Sequence, residues 1–331
     1  MTSLLLLLSP SWAAAPMAPV DPRLEGLDTV PMLVLSGPDR DPLFDEDKVR
    51  EADGLPPRFA DPRAVSLDAA EDGVWLRLAD GAWLWQARVQ AIGADHLNFG
   101  FAQYTMPPGG RLLIVDTAGH DALSRPLTEE DNKPHGELWT PVVRTDEALL
   151  EVWLPPGTPQ DALGLRLMQV GVGYKGFGAG LDKAGSCNID VVCPEGEDWR
   201  TEIASVAVYG SQGSTWCTGF MVNNTAQDER PLFQTAYHCG LNTRSLVVYL
   251  NYESPTCGQQ GGGRYDHWQS GGTRLADDSR SDFDLVELQN AVQHLPFVSN
   301  FRLGAGMQRD GPTQLLLVLR TIRVINLSHT E

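Results

Sequence analysis

From Val74 to Gln90 the chain reads VWLRLADGAWLWQARVQ, with apolar and polar side chains alternating on both sides of Asp80-Gly81. A period of two puts every second side chain on one face of a sheet, and Asp-Gly between two such runs is a hairpin turn. The stretches HLNFGFAQYTMPPGGRLLIVDTAG, GELWTPVVRTDEALLEVWLPPG and LGLRLMQVGVGYKG continue the pattern, broken at Pro107, Pro108, Gly109 and Gly110. Short strands with Gly/Pro turns at this spacing predict an antiparallel β-sandwich. Trp75, Trp83, Trp85, Trp139 and Trp153 fall on these strands and read as alternating core aromatics. Residues 16–70, rich in Pro, Asp and Leu and only weakly periodic, read as a leader into the domain.

Residues 175–186, KGFGAGLDKAGS, have many small and few bulky side chains and read as an exposed linker and domain boundary. Beyond it EIASVAVYG, STWCTGFMVNN, PLFQTAYHC, SLVVYLNYE and DFDLVELQN are again strand-like, and GQQGGGRYD reads as a loop. No long helical period and no internal repeat is visible. The predicted class is all-β, a sandwich followed by a second β-domain.

The bulk numbers agree with two domains. The chain has 331 residues, 42% hydrophobic and 21% charged, the profile of a globular protein. A formal net charge of −18 argues against nucleic acid as a partner, because phosphate binding needs clustered Lys and Arg. The N-terminus, MTSLLLLLSPSWAAAPMAP, has a short apolar run at Leu4–Leu8 and a small-residue site at Ala13–Ala15. It reads as a secretory signal peptide over residues 1–15. The run is too short to span a bilayer, so no membrane association is expected beyond export. Five cysteines, Cys187, Cys193, Cys217, Cys239 and Cys257, crowd into one region. In an exported protein they predict disulfides, with one thiol left over.

RPLFQTAYHCG, Arg230–Gly240, carries the candidate chemistry. His238 beside Cys239 lacks the paired short spacing of a zinc site, and no G-x-G-x-x-G opens a helix, so neither metal nor cofactor is expected. Nucleophilic catalysis fits better. A serine hydroxyl needs a histidine to accept its proton and a carboxylate to orient that histidine and stabilise its charged form. The strand PLFQTA would deliver His238 at its end, and Cys239 could pin the turn to Cys217. His120 and His135 lie in a polar loop with acids nearby.

STWCTGFMVNN followed by PLFQTAYHCG resembles the histidine region of chymotrypsin-fold serine proteases, where a C-[ST]-G strand precedes T-A-x-H-C. The acid of that family follows as D-[FI]-x-L. SDFDLVEL supplies it with Asp282 ahead of Phe283 and Leu285, while Asp284 occupies the family's small-residue position. Together with CNIDVVCPEG and VVYLNYESPTC, these motifs make Cys187–Leu288 similar to bacterial secreted lysyl endopeptidases. The resemblance implies a zymogen with a signal peptide (1–15), a pro-domain (16–183) and a trypsin-like serine protease domain (184–301). The last is a chymotrypsin-like β-barrel domain lacking most of its second barrel. It further implies cleavage of peptide or protein substrates after Lys, with His238 and Asp282 as catalytic residues. The pairings implied are Cys193–Cys257 and Cys217–Cys239, with Cys187 unpaired because its distant partner is absent. The pro-domain is implied as an intramolecular partner that assists folding and blocks the cleft.

Lysine placement adds a processing site. The chain holds only Lys48, Lys133, Lys175 and Lys183. Self-cleavage after Lys183 would start the mature chain at Ala184, with Lys175 as an earlier alternative. The nucleophile is the missing member. After Asp282 the serines are Ser299 and Ser328, neither in a G-[DE]-S-G turn, and residues 302–331 leave the family's pattern. The expectation is therefore a C-terminally incomplete and inactive serine endopeptidase precursor. The rival expectation is a secreted, non-catalytic binding protein built on two β-domains.

Overall fold

A computed structural model describes residues 26–177, 190–226, 228, 230–259 and 262–289. Residues 1–15, Lys183, Cys187, Ser299, Ser328 and residues 302–331 lie outside the described residues. The first domain contains β1 (Met32–Leu35), helix α1 (Arg40–Ala52), β2 (Ala60–Asp68), β3 (Val74–Arg77) and β4 (Trp83–Ala91). It continues with β5 (Leu97–Thr105), β6 (Arg111–Asp116), β7 (Leu138–Trp139), β8 (Glu147–Leu154) and β9 (Gly164–Gly173). One sheet runs β1-β4-β8-β6 with β3 added to β4, and the other runs β2-β9-β5-β7. The expected hairpin is present: Arg77 pairs with Trp83, and Gly81 takes the left-handed φ of 87° that the turn requires.

The alternation seen in the sequence sorts side chains onto the buried face. Trp85, Ala87, Val89 and Ala91 on β4 meet Leu97, Phe99 and Phe101 on β5 in one core. On β9 the buried set is Leu165 and Leu167, then Val170 and Val172. The parity changes because Gly100 pairs with Gln169 and Phe101 with Leu167, leaving Met168 as an extra residue on β9. Such a bulge shifts the alternation by one and restores inward-facing apolar positions on both sides.

Three expectations for the first domain and its linker need correction. The sandwich is not antiparallel throughout, since β1 pairs with β4 in parallel. The stretch 16–70 is not a featureless leader, since it carries β1, α1 and the start of β2. Helix α1 escapes a search for helical period because Leu43 is its sole buried side chain. The apolar stripe that marks an amphipathic helix is almost missing. The linker, read as starting at residue 175, starts too early. Phe177 is buried and packs its ring against Phe59, Trp216, Tyr249, Tyr252 and Tyr265.

In the second domain a 3-10 helix (Pro194–Trp199) runs into the short helix α2 (Arg200–Ile203), so the strand expected over EIASVAVYG starts only at Val206. Strands β10 (Val206–Ser211), β11 (Thr215–Val222), β12 (Leu232–Thr235) and β13 (Val247–Leu250) follow. The series closes with β14 (Trp268–Ser270), β15 (Gly272–Asp278) and β16 (Phe283–Leu288). They form one sheet in the order β14-β13-β10-β11-β12-β16-β15. One core packed on it buries Tyr209, Phe233, Leu246, Val248, Leu250 and Val286. The alternate residues Val208, Val247 and Tyr249 join the core of the sandwich instead. Strands β10 and β13 are thus buried on both faces because the first domain covers the outer one. The amide of Phe59 donates to Ser214 O (2.8 Å), and that of Trp216 to Pro57 O (2.9 Å). The molecule is all-β in class, as expected. Among the described residues no helix is long and apolar enough to cross a membrane.

Candidate active site

Strand pairing brings the two predicted residues together. Thr235, the last residue of β12, pairs with Asp284 on the antiparallel strand β16. Continuing that register sets Asp282 beside Tyr237, and the 3-10 turn at Tyr237–Cys239 brings the next residue, His238, onto its carboxylate. The His238 amide donates to Asp282 Oδ1 (2.9 Å), and His238 Nδ1 lies 2.7 Å from Asp282 Oδ2. Asp282 has a φ of 53°, a left-handed backbone that turns its carboxylate toward the histidine rather than along the strand.

The turn carrying His238 is tied down on both sides. Thr235 is buried, and its hydroxyl donates to Thr218 O (2.7 Å) on the neighbouring strand β11. Tyr237–Cys239 form a single 3-10 turn, and Gly240 closes it with a φ of 62°. Cys239 is bonded to Cys217 on β11, and Cys193 is bonded to Cys257.

An Asp oxygen on Nδ1 holds the proton there and leaves Nε2 with its lone pair outward, the tautomer a proton acceptor needs. Burial pushes the Asp282 carboxyl up, but hydrogen bonds from the amide and ring of His238, its charge, and the Tyr237 amide more than offset this. The acid is held below its ordinary value of 3.8. The side chains of His238 and Asp282 are 64% and 48% exposed. Among the described residues the first domain hydrogen-bonds the second at Gly213, Tyr249 and Ser270.

Asp284, two residues away, has a different task. It is 1% exposed and takes a fork from Arg274, with Nε to Oδ1 at 2.9 Å and Nη2 to Oδ2 at 2.7 Å. Arg274 Nη2 also donates to Leu241 O (2.6 Å), bracing the loop that follows His238. Arg274 carries no signal in the sequence. It reaches the site because β15 and β16 pair across a turn. The polar loop flagged earlier is occupied with its own turn. Asp116 accepts from the amides of Ala118 and His120 and the hydroxyl of Thr145, and His135 Nδ1 accepts from the Glu137 amide.

Residues 56–171 match the family described as lysyl endopeptidase N-terminal domain, and residues 181–311 match the lysyl endopeptidase C-terminal domain. The lysyl endopeptidase of Pseudomonas aeruginosa is 29% identical over 185 residues, 50% of this chain and 39% of that protein. The chain thus corresponds to about two fifths of that relative's length.

Proposed function

The chain belongs to the lysyl endopeptidase family, and we propose that it is the precursor of an exported serine endopeptidase cutting after Lys, with His238 as general base and Asp282 as its orienting acid. The observation that carries this is the 2.7 Å contact from His238 Nδ1 to Asp282 Oδ2. It would leave Nε2 to take a serine proton and Asp282 to stabilise the imidazolium that results. Signal-peptide removal at about residue 15, a pro-domain through Lys183 and release of a chain starting at Ala184 complete the reading, as the sequence suggests.

Residues 283–331 offer no serine in a G-[DE]-S-G turn. Residues 1–331 by themselves are therefore expected to turn over no peptide. Lys-directed cleavage by the purified chain, with contaminating protease excluded, would overturn that expectation. The roles of His238 and Asp282 are tested by joining residues 1–289 to the remainder of a lysyl endopeptidase. The chimera should cleave after Lys, and H238A or D282N should lower kcat/KM by at least about a thousandfold. A folded chimera indifferent to H238A sinks the assignment and favours the rival reading, a secreted two-domain binding protein without catalysis.

A further inference from the structure

Three of the four lysines lie in described residues, and each is in a different state. Lys48, on α1, has its side chain 76% exposed and paired with Asp45 one turn back at 2.7 Å. Lys133 is 7% exposed, donates from Nζ to Ser270 O (2.6 Å), and precedes Pro134. Lys175, two residues past β9, is 15% exposed and has its Nζ 2.5 Å from Asp47 Oδ2 on α1. The same ammonium lies 6.0 Å from the ring centre of Phe44, also on α1, and 5.3 Å from that of Tyr174. Asp47 further accepts from the Tyr174 hydroxyl (2.7 Å) and from Arg58 Nε (2.8 Å).

An acidic and aromatic recess is what a Lys-directed protease must itself offer a lysine side chain. Helix α1 has supplied one first, so an attacking enzyme has to break the Asp47 pair before it can seat Lys175. Lys48 is the residue next to Asp47. Hydrolysis of the Lys48–Val49 bond consumes one water and leaves a carboxylate on Lys48 and an amine on Val49. It would cut α1, Arg40–Ala52, to a piece ending at Lys48. A helix of about two turns is marginal in water, and this one would keep one buried side chain, Leu43, beside the polar partners of Asp47. The same shortage of buried apolar side chains lets α1 open locally, as cleavage after Lys48 requires.

We propose that α1 is a proteolytic latch. Cleavage after Lys48 splits the helix and releases Lys175 from Asp47, so of these two sites a Lys-directed endopeptidase cuts at Lys48 first and only then at Lys175. The identity of the natural enzyme rests on the function proposed above, but the shielding does not. The test adds a separately purified, active lysyl endopeptidase to the full chain and follows the fragments by intact-mass spectrometry. The fragment ending at Lys48 should accumulate before any cut after Lys175. K48R keeps the charge and the exposed position and removes the first cut, so it should slow cleavage after Lys175 at least about tenfold. D47N, with its fold checked by circular dichroism, should expose Lys175 from the start without a prior cut at Lys48. Equal initial rates at Lys48 and Lys175 in the unmodified chain, or an unchanged Lys175 rate in K48R, overturn the latch. Because the protease is added, that result leaves the roles of His238 and Asp282 untouched, and their failure would leave the latch standing.

Discussion

Asp282 and Asp284 are the same amino acid two positions apart, yet one faces solvent beside a histidine and the other is buried in a fork from Arg274. A carboxylate taken out of water without a partner is costly, so Arg274 is what permits Asp284 to sit where it does. Arg274→Met should cost about 2 kcal/mol in urea denaturation, less than for a fully buried pair because the Arg274 side chain is 39% exposed. The double change R274M/D284L should recover most of that loss. A single mutant within experimental error of the parent protein would show that the pair is not needed. Nothing in SDFDLVEL distinguishes the two acids by propensity. The motif resemblance pointed to Asp282, and the left-handed backbone there, with the ion pair at Asp284, gives the physical difference between them.

At the scale of elements the site depends on register. A slip of one residue between β12 and β16 would move every side chain of a strand to the opposite face and separate His238 from Asp282. The Cys217–Cys239 bond, spanning 22 residues, ties the strand before β12 to the turn after it. Removing it as C217A/C239A should lower stability by about 3 kcal/mol, as loop-closure entropy predicts for a loop of this size. Amide exchange at residues 237–241 should rise as the turn loosens. Unchanged exchange there would mean that Thr235 and Gly240 hold the turn without the bond. These strands were legible because a period of two is a local property of the chain, while α1 was not. Its binding surface is polar, made of Asp47, Arg58, Lys175 and Tyr174, and a hydrophobic pattern cannot report a helix held by ion pairs.

Across the whole molecule, one lysine of the first domain is driven into the second. Burial depresses Lys133 from 10.5 to about 8 while its Nζ donates to Ser270. Between those two values the unfolded chain keeps a proton that the folded chain has released. Folded stability should therefore rise with pH from about 8, by about 1.4 kcal/mol for each pH unit at most. Above about pH 10 the buried tyrosines, whose ionisation burial opposes, reverse the slope. Urea midpoints taken between about pH 8 and 9.5 should climb in the parent protein and stay flat in Lys133→Met. A parallel climb in both would assign the effect to another group. The interface also explains why Val208, Val247 and Tyr249 are apolar on what would otherwise be the outside of a barrel sheet.

The sequence by itself determined the strands β3–β13 and β16, the faces they bury, the hairpin at Asp80-Gly81, and the pair of motifs that set His238 and Asp282 apart from other polar residues. Each of these is written in neighbouring residues, by periodicity or by short spacing. Only the tertiary structure decided that Asp284 belongs to Arg274, that Phe177 lies in an aromatic cluster rather than in a linker, and that Lys175 is held by a helix 128 positions earlier. Those outcomes depend on partners far apart along the chain. Which acid, ring or ammonium is desolvated follows from how whole sheets stack, and no local pattern encodes that.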